Sequence, residues 1–189
     1  DPELKLIAPL WEVQKERSLV PARHQFLIEK MESKEGYHLF FYPFEGRAVH
    51  EGMGALLAYR LSLFKKMSLS IAMNDYGFEL LSDQPIPIEE ALDSDILNTR
   101  DLRHDILQSV NAIELAKRRF RDIASISGLI FKGYPGAPVK DRHLQSSSQL
   151  IFNVFTDYEP DNTLLLQAYE EAMEFQLEEG RLRQALERI

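Results

Sequence analysis

The chain of 189 residues contains no cysteine. Disulfide bridges and thiolate metal sites are therefore excluded, and an intracellular, cytoplasmic protein is expected. No run approaches the roughly 18 apolar residues that a membrane-spanning helix needs, and the N-terminus has no signal-peptide pattern. The chain also begins at Asp1-Pro2 without a methionine, which suggests a fragment of a longer polypeptide.

Complete catalytic motifs are missing as well. The segment "GYPGAPVK" lacks the Gly-Lys-Ser/Thr ending of a phosphate-binding P-loop, and no Gly-x-Ser-x-Gly nucleophile motif occurs. His50-Glu51 resembles the start of a zinc-protease helix, but the second histidine of that motif is replaced by Gly54. The nearest other ligand, His38, lies on the preceding predicted strand. We therefore expect no catalytic residue, metal or cofactor in this chain, with a hydrolase at His50 and Glu51 as a third function to test.

Positive charge is scarce overall but concentrated in one region. The net charge is −8, and residues 75–95 carry seven acidic side chains without a single Lys or Arg. Residues 157–189 carry nine acids against three bases, whereas residues 100–143 carry nine bases against five acids. The chain is therefore not a generally basic nucleic-acid binder, but it has one basic region between two acidic ones.

Apolar periodicity predicts an α+β fold. The segments "HQFLIEKMES" and "YHLFFYPF" flank a turn at residues 34–36 and predict a β-hairpin. Val49, Met53, Leu57, Leu61 and Phe64 form an apolar stripe that predicts a helix from about Arg47. The segments "MSLSIAMN" and "GFELLS" predict a second hairpin. The order β-β-α-β-β favours an antiparallel sheet of two hairpins with a helix on one face.

The C-terminal half is predicted to be mostly helical. Thr99 could cap a helix over residues 100–110, and a helix from about Ala112 would stop at Gly128. Further helices are expected from about 141 to 156 and from 161 to near the end. A short N-terminal helix, "APLWEVQKERS", has Pro9 in its first turn. We divide the chain into an α+β portion, 1–92, and a helical portion, 93–189, of the same domain.

Small residues at the start of the predicted central helix favour close packing. Gly52, Gly54, Ala55 and Ala58 would let this helix approach the sheet, although each helical glycine costs roughly 1 kcal/mol. The preceding Glu45-Gly46-Arg47 marks the turn from strand to helix.

The basic region contains the best candidates for a binding site. Arg118 and Arg121 share one helix face, while Phe120, Ile123 and Ala124 point to the other. "QSSSQ" adds hydroxyl and amide groups near a helix N-terminus, and such groups bind phosphates. The alternative is a solvated helix face with salt bridges to Glu114 and Asp122. The nucleic-acid-binding candidates are Arg118, Arg121, Lys132, Lys140 and Arg142.

Four segments together resemble a known family. They are "HLFFYPFEGRAVHEGMGALLAYRLS", "SIAMNDYGFELLS", "ELAKRRFRDIASISGLIFKGYPG" and "LQSSSQLIFNVF". In this order they are similar to the helicase-associated C-terminal region of Lhr-type DExH-box superfamily 2 helicases, most of all to the ligase-associated DNA damage response branch. The resemblance implies a longer enzyme with two RecA-like motor domains and a winged helix upstream. Such enzymes use ATP and Mg to translocate 3′ to 5′ on single-stranded DNA and to unwind duplexes.

The resemblance gives this chain an accessory role without enzymatic activity of its own. It implies that the chain helps hold or guide single-stranded or tailed DNA beside the motor and winged-helix domains, in DNA repair. It also implies a packing and turn role for Glu45, Arg47, His50 and Glu51, with Arg47 kept as a further candidate for DNA contact. The alternative is a docking module whose acidic residues 75–95 and acidic C-terminal helix contact the motor or a repair partner.

Overall fold

The computed structural model describes residues 2–22, 25–134, 136–138 and 140–189. Four strands form one antiparallel sheet in the N-terminal half: β1 (Leu27–Glu32), β2 (Tyr37–Tyr42), β3 (Ser70–Met73) and β4 (Phe78–Ser82). Their order across the sheet is β1-β2-β4-β3, so the two hairpins are joined along β2 and β4. The predicted α+β class and the predicted pair of hairpins are confirmed.

Helices make up most of the remaining chain. They are α1 (Pro2–Arg17), α2 (Arg47–Phe64), α3 (Ile88–Asp93), α4 (Leu102–Leu107), α5 (Val110–Ile126), α6 (Asp141–Tyr158), α7 (Thr163–Glu171) and α8 (Glu179–Arg188), with a π-helical turn (Ala172–Gln176) after α7. A short hairpin of β5 (Gly133–Tyr134) and β6 (Ala137–Pro138) separates α5 from α6. Over the described residues, no helix has the length and apolar character needed to cross a bilayer.

The sheet presents an apolar face on which α2 packs. Phe41 of β2 stacks on Phe78 of β4 with ring centroids 4.7 Å apart, which fixes the seam between the hairpins. At the β1–β2 turn, Gly36 adopts a φ of +139°, and a Cβ there would lie 2.2 Å from the carbonyl oxygen of Ser82. The turn therefore requires glycine.

The helix α2 is buried along most of its length. Val49, Met53, Leu57 and Leu61 are completely buried, which confirms the predicted stripe. The prediction was wrong for the last residue of the stripe. Phe64 is the final residue of the helix, and its side chain is 44% exposed. The core is one cluster that includes residues from both halves of the chain. The division into 1–92 and 93–189 stays a prediction.

The two glycines of α2 face different neighbours. A Cβ on Gly54 would lie 3.0 Å from Cγ2 of Ile71, so this glycine allows close approach to the sheet as predicted. A Cβ on Gly52 would instead lie 3.0 Å from Cδ2 of Leu182 and 3.3 Å from the carbonyl oxygen of Leu177. The sequence-based prediction that Gly52 faces the sheet was therefore wrong, since it faces α8 and the turn before it.

Several predicted helix boundaries were also wrong. Pro9 lies inside α1, which begins at Pro2, and not in its first turn. The helix predicted near Thr99 begins only after Asp101, which has a left-handed φ of +52°. The single helix expected from 161 is divided by the π-helical turn and by Glu178, whose φ is +45°. The expected stop after α5 is confirmed, because Gly128 has a φ of +80°.

A buried arginine connects α2 to the segment before α5. Arg60 is 6% exposed, and its Nε donates a hydrogen bond to Oδ2 of Asp105 at 2.8 Å. Its terminal nitrogens donate to the backbone carbonyls of Ile96 at 2.6 Å, Asn98 at 2.7 Å and Arg100 at 2.9 Å. One side chain therefore satisfies a carboxylate and three carbonyls and fixes the course of residues 96–105.

We predict that Arg60→Ala lowers the free energy of unfolding by about 3–5 kcal/mol, because the partly buried carboxylate of Asp105 and three backbone carbonyls would lose their donor. The measurement is urea unfolding followed by circular dichroism. The matched control is Arg100→Ala, which removes an exposed arginine paired with exposed Asp95 and should change stability by about 0.5 kcal/mol or less. Equal unfolding midpoints for the two variants would contradict the role assigned to Arg60.

We also predict that Gly54→Leu destabilises the fold by about 1–3 kcal/mol through overpacking against the sheet. Gly180→Ala in α8 is the control, because no heavy atom lies within 4 Å of the added Cβ. The control should unfold at the wild-type denaturant concentration or slightly above it. If Gly54→Leu were as stable as wild type, the space between α2 and the sheet would accommodate the larger side chain, and the prediction would be wrong.

Candidate nucleic-acid interface

His50, the residue most suggestive of catalysis, is fully engaged in structural hydrogen bonds. Its ring is completely buried. Nε2 accepts a hydrogen bond from the backbone N–H of Glu45 at 3.0 Å, and Nδ1 donates to the carbonyl oxygen of Asn74 at 2.7 Å. Because both ring nitrogens are used in a neutral tautomer, His50 has no atom left for a metal or a substrate proton. It joins the strand-to-helix turn to the β3–β4 turn.

Glu45 and His38 make structural contacts as well. Glu45 forms an ion pair with Arg188, and Arg181 donates to the carbonyl oxygen of Glu45 at 2.7 Å, so α8 fixes this turn. His38 contacts Oγ of Ser33 through Nε2 at 2.7 Å and the carboxylate of Glu79 through Nδ1. Across the described residues, no three His, Asp or Glu side chains are grouped so that they could hold a metal ion.

Aromatic packing sets the relative position of α5 and α6. The ring of Phe120 is completely buried and makes edge-to-face contacts with Phe152 at 5.5 Å and Phe155 at 5.8 Å between centroids. Ile123 and Ala124 are buried beside it, as the helix register predicted. The face of α5 opposite these three residues is exposed to solvent, and it lies next to α6.

A shallow groove follows this boundary. It encloses about 160 Å³ and is lined by Glu114, Lys117, Arg118 and Arg121 of α5 and Gln145, Ser148 and Gln149 of α6. Lys117 pairs with Glu114 at 3.0 Å. In the described part of the chain, Arg118 and Arg121 make no ion pair, so the salt bridges to Glu114 and Asp122 that the alternative interpretation required are not formed there. The groove thus combines these two guanidinium groups with the side-chain amides of Gln145 and Gln149, whereas the hydroxyl of Ser148 is buried and donates to the carbonyl oxygen of Gln145 at 2.9 Å.

The remaining cationic candidates lie around the N-terminal end of α6. Lys140 immediately precedes α6, and Arg142 lies in its first turn, three residues before Gln145 on the same helix face. Lys132 immediately precedes β5, and Gly133 pairs with Pro138, so Lys132 and Lys140 both lie beyond the same end of this short hairpin. All three of these cations are exposed. We call Arg118, Arg121, Lys132, Lys140 and Arg142 the basic face.

Arg47 is placed apart from this face. It is the exposed first residue of α2, beside the Glu45 turn that contacts α8, and it does not line the groove between α5 and α6. Arg118 and Arg121 thus share the groove, Lys132, Lys140 and Arg142 lie in the connection from α5 to α6 or in the first turn of α6, and Arg47 lies elsewhere.

Three of the nine acidic residues in the C-terminal segment, 157–189, form ion pairs within the chain. Arg103 pairs with Glu170 and with Glu179, the latter at 3.2 Å, and the hydrogen bond from Arg103 to Glu170 raises the pKa of the Arg103 guanidinium. Arg183 also pairs with Glu179 at 3.3 Å. Glu178 is paired with an arginine of the next turn of α8. These arginines connect α4, α7 and α8 instead of facing a ligand.

Two residues that the sequence analysis did not single out also lie beside the basic face. Phe131 and Tyr134 flank Lys132 and Gly133, and their side chains are 60% and 72% exposed. The available signal was two aromatic residues in a glycine- and proline-rich connection. The same pattern also suits a short buried strand, so the sequence alone could not separate the two.

Comparison with known families identifies the chain. The family model described as "DEAD/H associated" matches residues 20–189. The chain belongs to the DEAD/H-associated family. It is 29% identical over 174 residues to the ATP-dependent helicase Lhr-Core protein 2 of Thermococcus barophilus, covering 90% of this chain and 20% of that protein. It is 26% identical to the ATP-dependent helicase Lhr-Core of Methanocaldococcus jannaschii, covering 78% of this chain and 17% of that protein.

A solved structure has the same fold. The Mycobacterium smegmatis helicase Lhr, determined bound to ssDNA and AMP-PNP, matches with a TM-score of 0.73 and 20% identity over 94% of this chain and 22% of that one. The expected resemblance to the helicase-associated region of Lhr-type helicases is confirmed. This DEAD/H-associated chain spans about a fifth of the length of the relatives it matches.

We predict that His50→Ala destabilises the chain by about 1–3 kcal/mol, because the Glu45 amide and the Asn74 carbonyl would lose their partner. Glu51→Ala, one residue along α2, should change stability by about 0.5 kcal/mol or less. Elemental analysis of the purified wild-type chain should find no stoichiometric zinc. One zinc ion per chain, absent from His50→Ala, would contradict the structural role of this histidine.

Proposed function

We propose that this chain is an accessory domain of an ATP-dependent DNA helicase and helps hold or guide single-stranded DNA. The longer protein would translocate 3′ to 5′ and unwind duplexes in DNA repair. ATP and Mg would bind its RecA-like motor domains, upstream of a winged helix and of this chain. The cytoplasm is the expected location.

The basic face is the observation that carries this proposal. Five exposed or partly exposed cations lie in one region of a chain with a net charge of −8, and the described residues provide none of them with an ion-pair partner. Keeping like charges together without partners costs free energy unless an anion binds there. A phosphate backbone supplies such anions at regular spacing, and binding it releases counterions. The side-chain amides of Gln145 and Gln149 in the groove add hydrogen-bond donors of the type that contact phosphate oxygens.

The relatives support the same proposed function. The matching curated proteins are named ATP-dependent helicases, and the structural neighbour was determined with ssDNA bound. This chain contains no P-loop, so it would act on DNA held by a motor elsewhere in the protein and would not hydrolyse ATP itself.

The alternative remains a docking module that contacts the motor domains or a repair partner through acidic surfaces. Residues 75–95 favour it, because they carry seven acids without a base. Residues 157–189 favour it as well, with nine acids against three bases, and each region has three carboxylates that contact basic side chains of this chain: Glu79, Glu89 and Asp95 in the first, and Glu170, Glu178 and Glu179 in the second. The two functions differ in their dependence on salt and on the basic face.

We predict that Arg118→Ala/Arg121→Ala weakens binding of the full-length helicase to single-stranded DNA with little sequence dependence. The slope of log affinity against log salt should flatten by about 0.7 for each phosphate that the variant no longer binds. Lys132→Ala/Lys140→Ala should act in the same direction. The measurement is a salt titration of DNA affinity by fluorescence anisotropy.

The control is Lys65→Ala/Lys66→Ala, which removes two exposed lysines just after α2, outside the basic face. This variant should retain the wild-type affinity and slope, which shows that the weaker binding is not a general effect of net charge. If both basic-face variants behave like this control, the basic face is only a solvated surface. The docking function would then be the better account.

A further inference from the structure

The connection between α5 and α6 carries two exposed aromatic rings in mutual contact. Phe131 is 60% exposed and Tyr134 is 72% exposed. Their ring centroids lie 5.0 Å apart at an interplanar angle of 70°, an edge-to-face arrangement. Each ring therefore retains a large accessible surface that the chain itself does not cover. Large aromatic side chains exposed side by side indicate a binding surface more than isolated exposed residues do.

The backbone on both sides of the two aromatic residues is held in place by hydrogen bonds. Ile130, directly before Phe131, is buried, and its N–H donates to the carbonyl oxygen of Ala124 in α5 at 3.0 Å. On the other side, Tyr134 pairs with Ala137 in the β5–β6 hairpin. Because both ends are fixed, little ordering of the segment would be needed when a ligand contacts the rings.

Cationic residues adjoin the rings along the chain. Lys132 lies between them in the sequence, Lys140 lies beyond the same end of the hairpin as Lys132, and Arg142 follows in the first turn of α6. Single-stranded nucleic acid is bound by this combination, since cations contact the phosphates while the bases stack on aromatic faces. The charged lysines would oppose the binding of an apolar protein surface. Their positive charge therefore favours a polyanion as the ligand.

We propose that Phe131 and Tyr134 form a base-stacking platform for single-stranded DNA, with Lys132 and Lys140 placed for the adjoining phosphates. This inference rests on the proposed function and adds that the chain contacts bases as well as the phosphate backbone. Stacking tolerates any sequence, because every base has a π face. The platform would thus hold the strand without selecting a sequence.

The test is an abasic scan of a single-stranded oligonucleotide bound to the full-length helicase. At the nucleotides that stack on the platform, removing the base should weaken wild-type binding by about tenfold. In Phe131→Leu/Tyr134→Leu, intact DNA should bind that much more weakly, and the same abasic sites should have no further effect. Phe131→Tyr/Tyr134→Phe keeps both aromatic faces and should reproduce the wild-type scan. An abasic profile identical in wild type and the double-leucine variant overturns the platform.

Tyr158→Ala/Phe175→Ala is the matched control, since these aromatic residues are 80% and 65% exposed but lie outside the α5–α6 connection. Its abasic profile should be that of wild type, and an equal weakening there would also overturn the proposal. The experiment also distinguishes failure of this inference from failure of the proposed role of the basic face. Arg118→Ala/Arg121→Ala changes the salt slope and leaves the abasic penalty, whereas the double-leucine variant removes the penalty and leaves the slope.

Discussion

The burial of α2 on two sides is the constraint on which the rest of the structure depends. Gly54 brings this helix against the sheet, and Gly52 brings it against the C-terminal segment. A helix enclosed in this way must have every polar group satisfied, since each buried unpaired group costs about 1–3 kcal/mol. His50 in its first turn and Arg60 in its last turn meet this requirement by recruiting the β3–β4 turn and residues 96–105. The two halves of the chain are consequently folded around one helix.

This constraint explains why the segment that most resembles a catalytic motif, which contains Glu45 and His50, has a structural role. Both nitrogens of His50 are used in hydrogen bonds, and the carboxylate of Glu45 pairs with Arg188. Side chains fixed by such partners are positioned for packing and have no free atom with which to bind a substrate. The surface that we propose for DNA lies instead on α5, α6 and their connection, and it consists of the cations of the basic face and two exposed rings.

The sequence predicted those parts of the fold that local patterns determine. The hairpins follow from aromatic and β-branched segments around turn residues, and the apolar stripe of α2 follows from its four-residue period. The partner of Gly52 could not be predicted, because Leu182 is remote in the chain and only the tertiary fold brings it near. The role of Arg60 was equally invisible, since three of its acceptors are backbone carbonyls, which any residue possesses. For the candidate site, helix register correctly placed Arg118 and Arg121 on one face. The exposure of Phe131 depends on how the connection leaves α5, which periodicity does not report.

The distribution of ion pairs shows why net charge is a poor guide to this surface. In the acidic C-terminal segment, Glu170, Glu178 and Glu179 pair with Arg103, Arg181 and Arg183, so part of its negative charge is neutralised within the chain. The cations of the basic face have no such partners among the described residues. At physiological ionic strength, charges are screened over about 8 Å, so a phosphate in the α5–α6 groove responds to Arg118 and Arg121 and scarcely to distant carboxylates. An acidic chain can therefore present a local surface that attracts DNA, while its overall negative charge opposes binding along the rest of its surface. Such a chain would bind the strand along one path only, as a domain that guides DNA for a motor must.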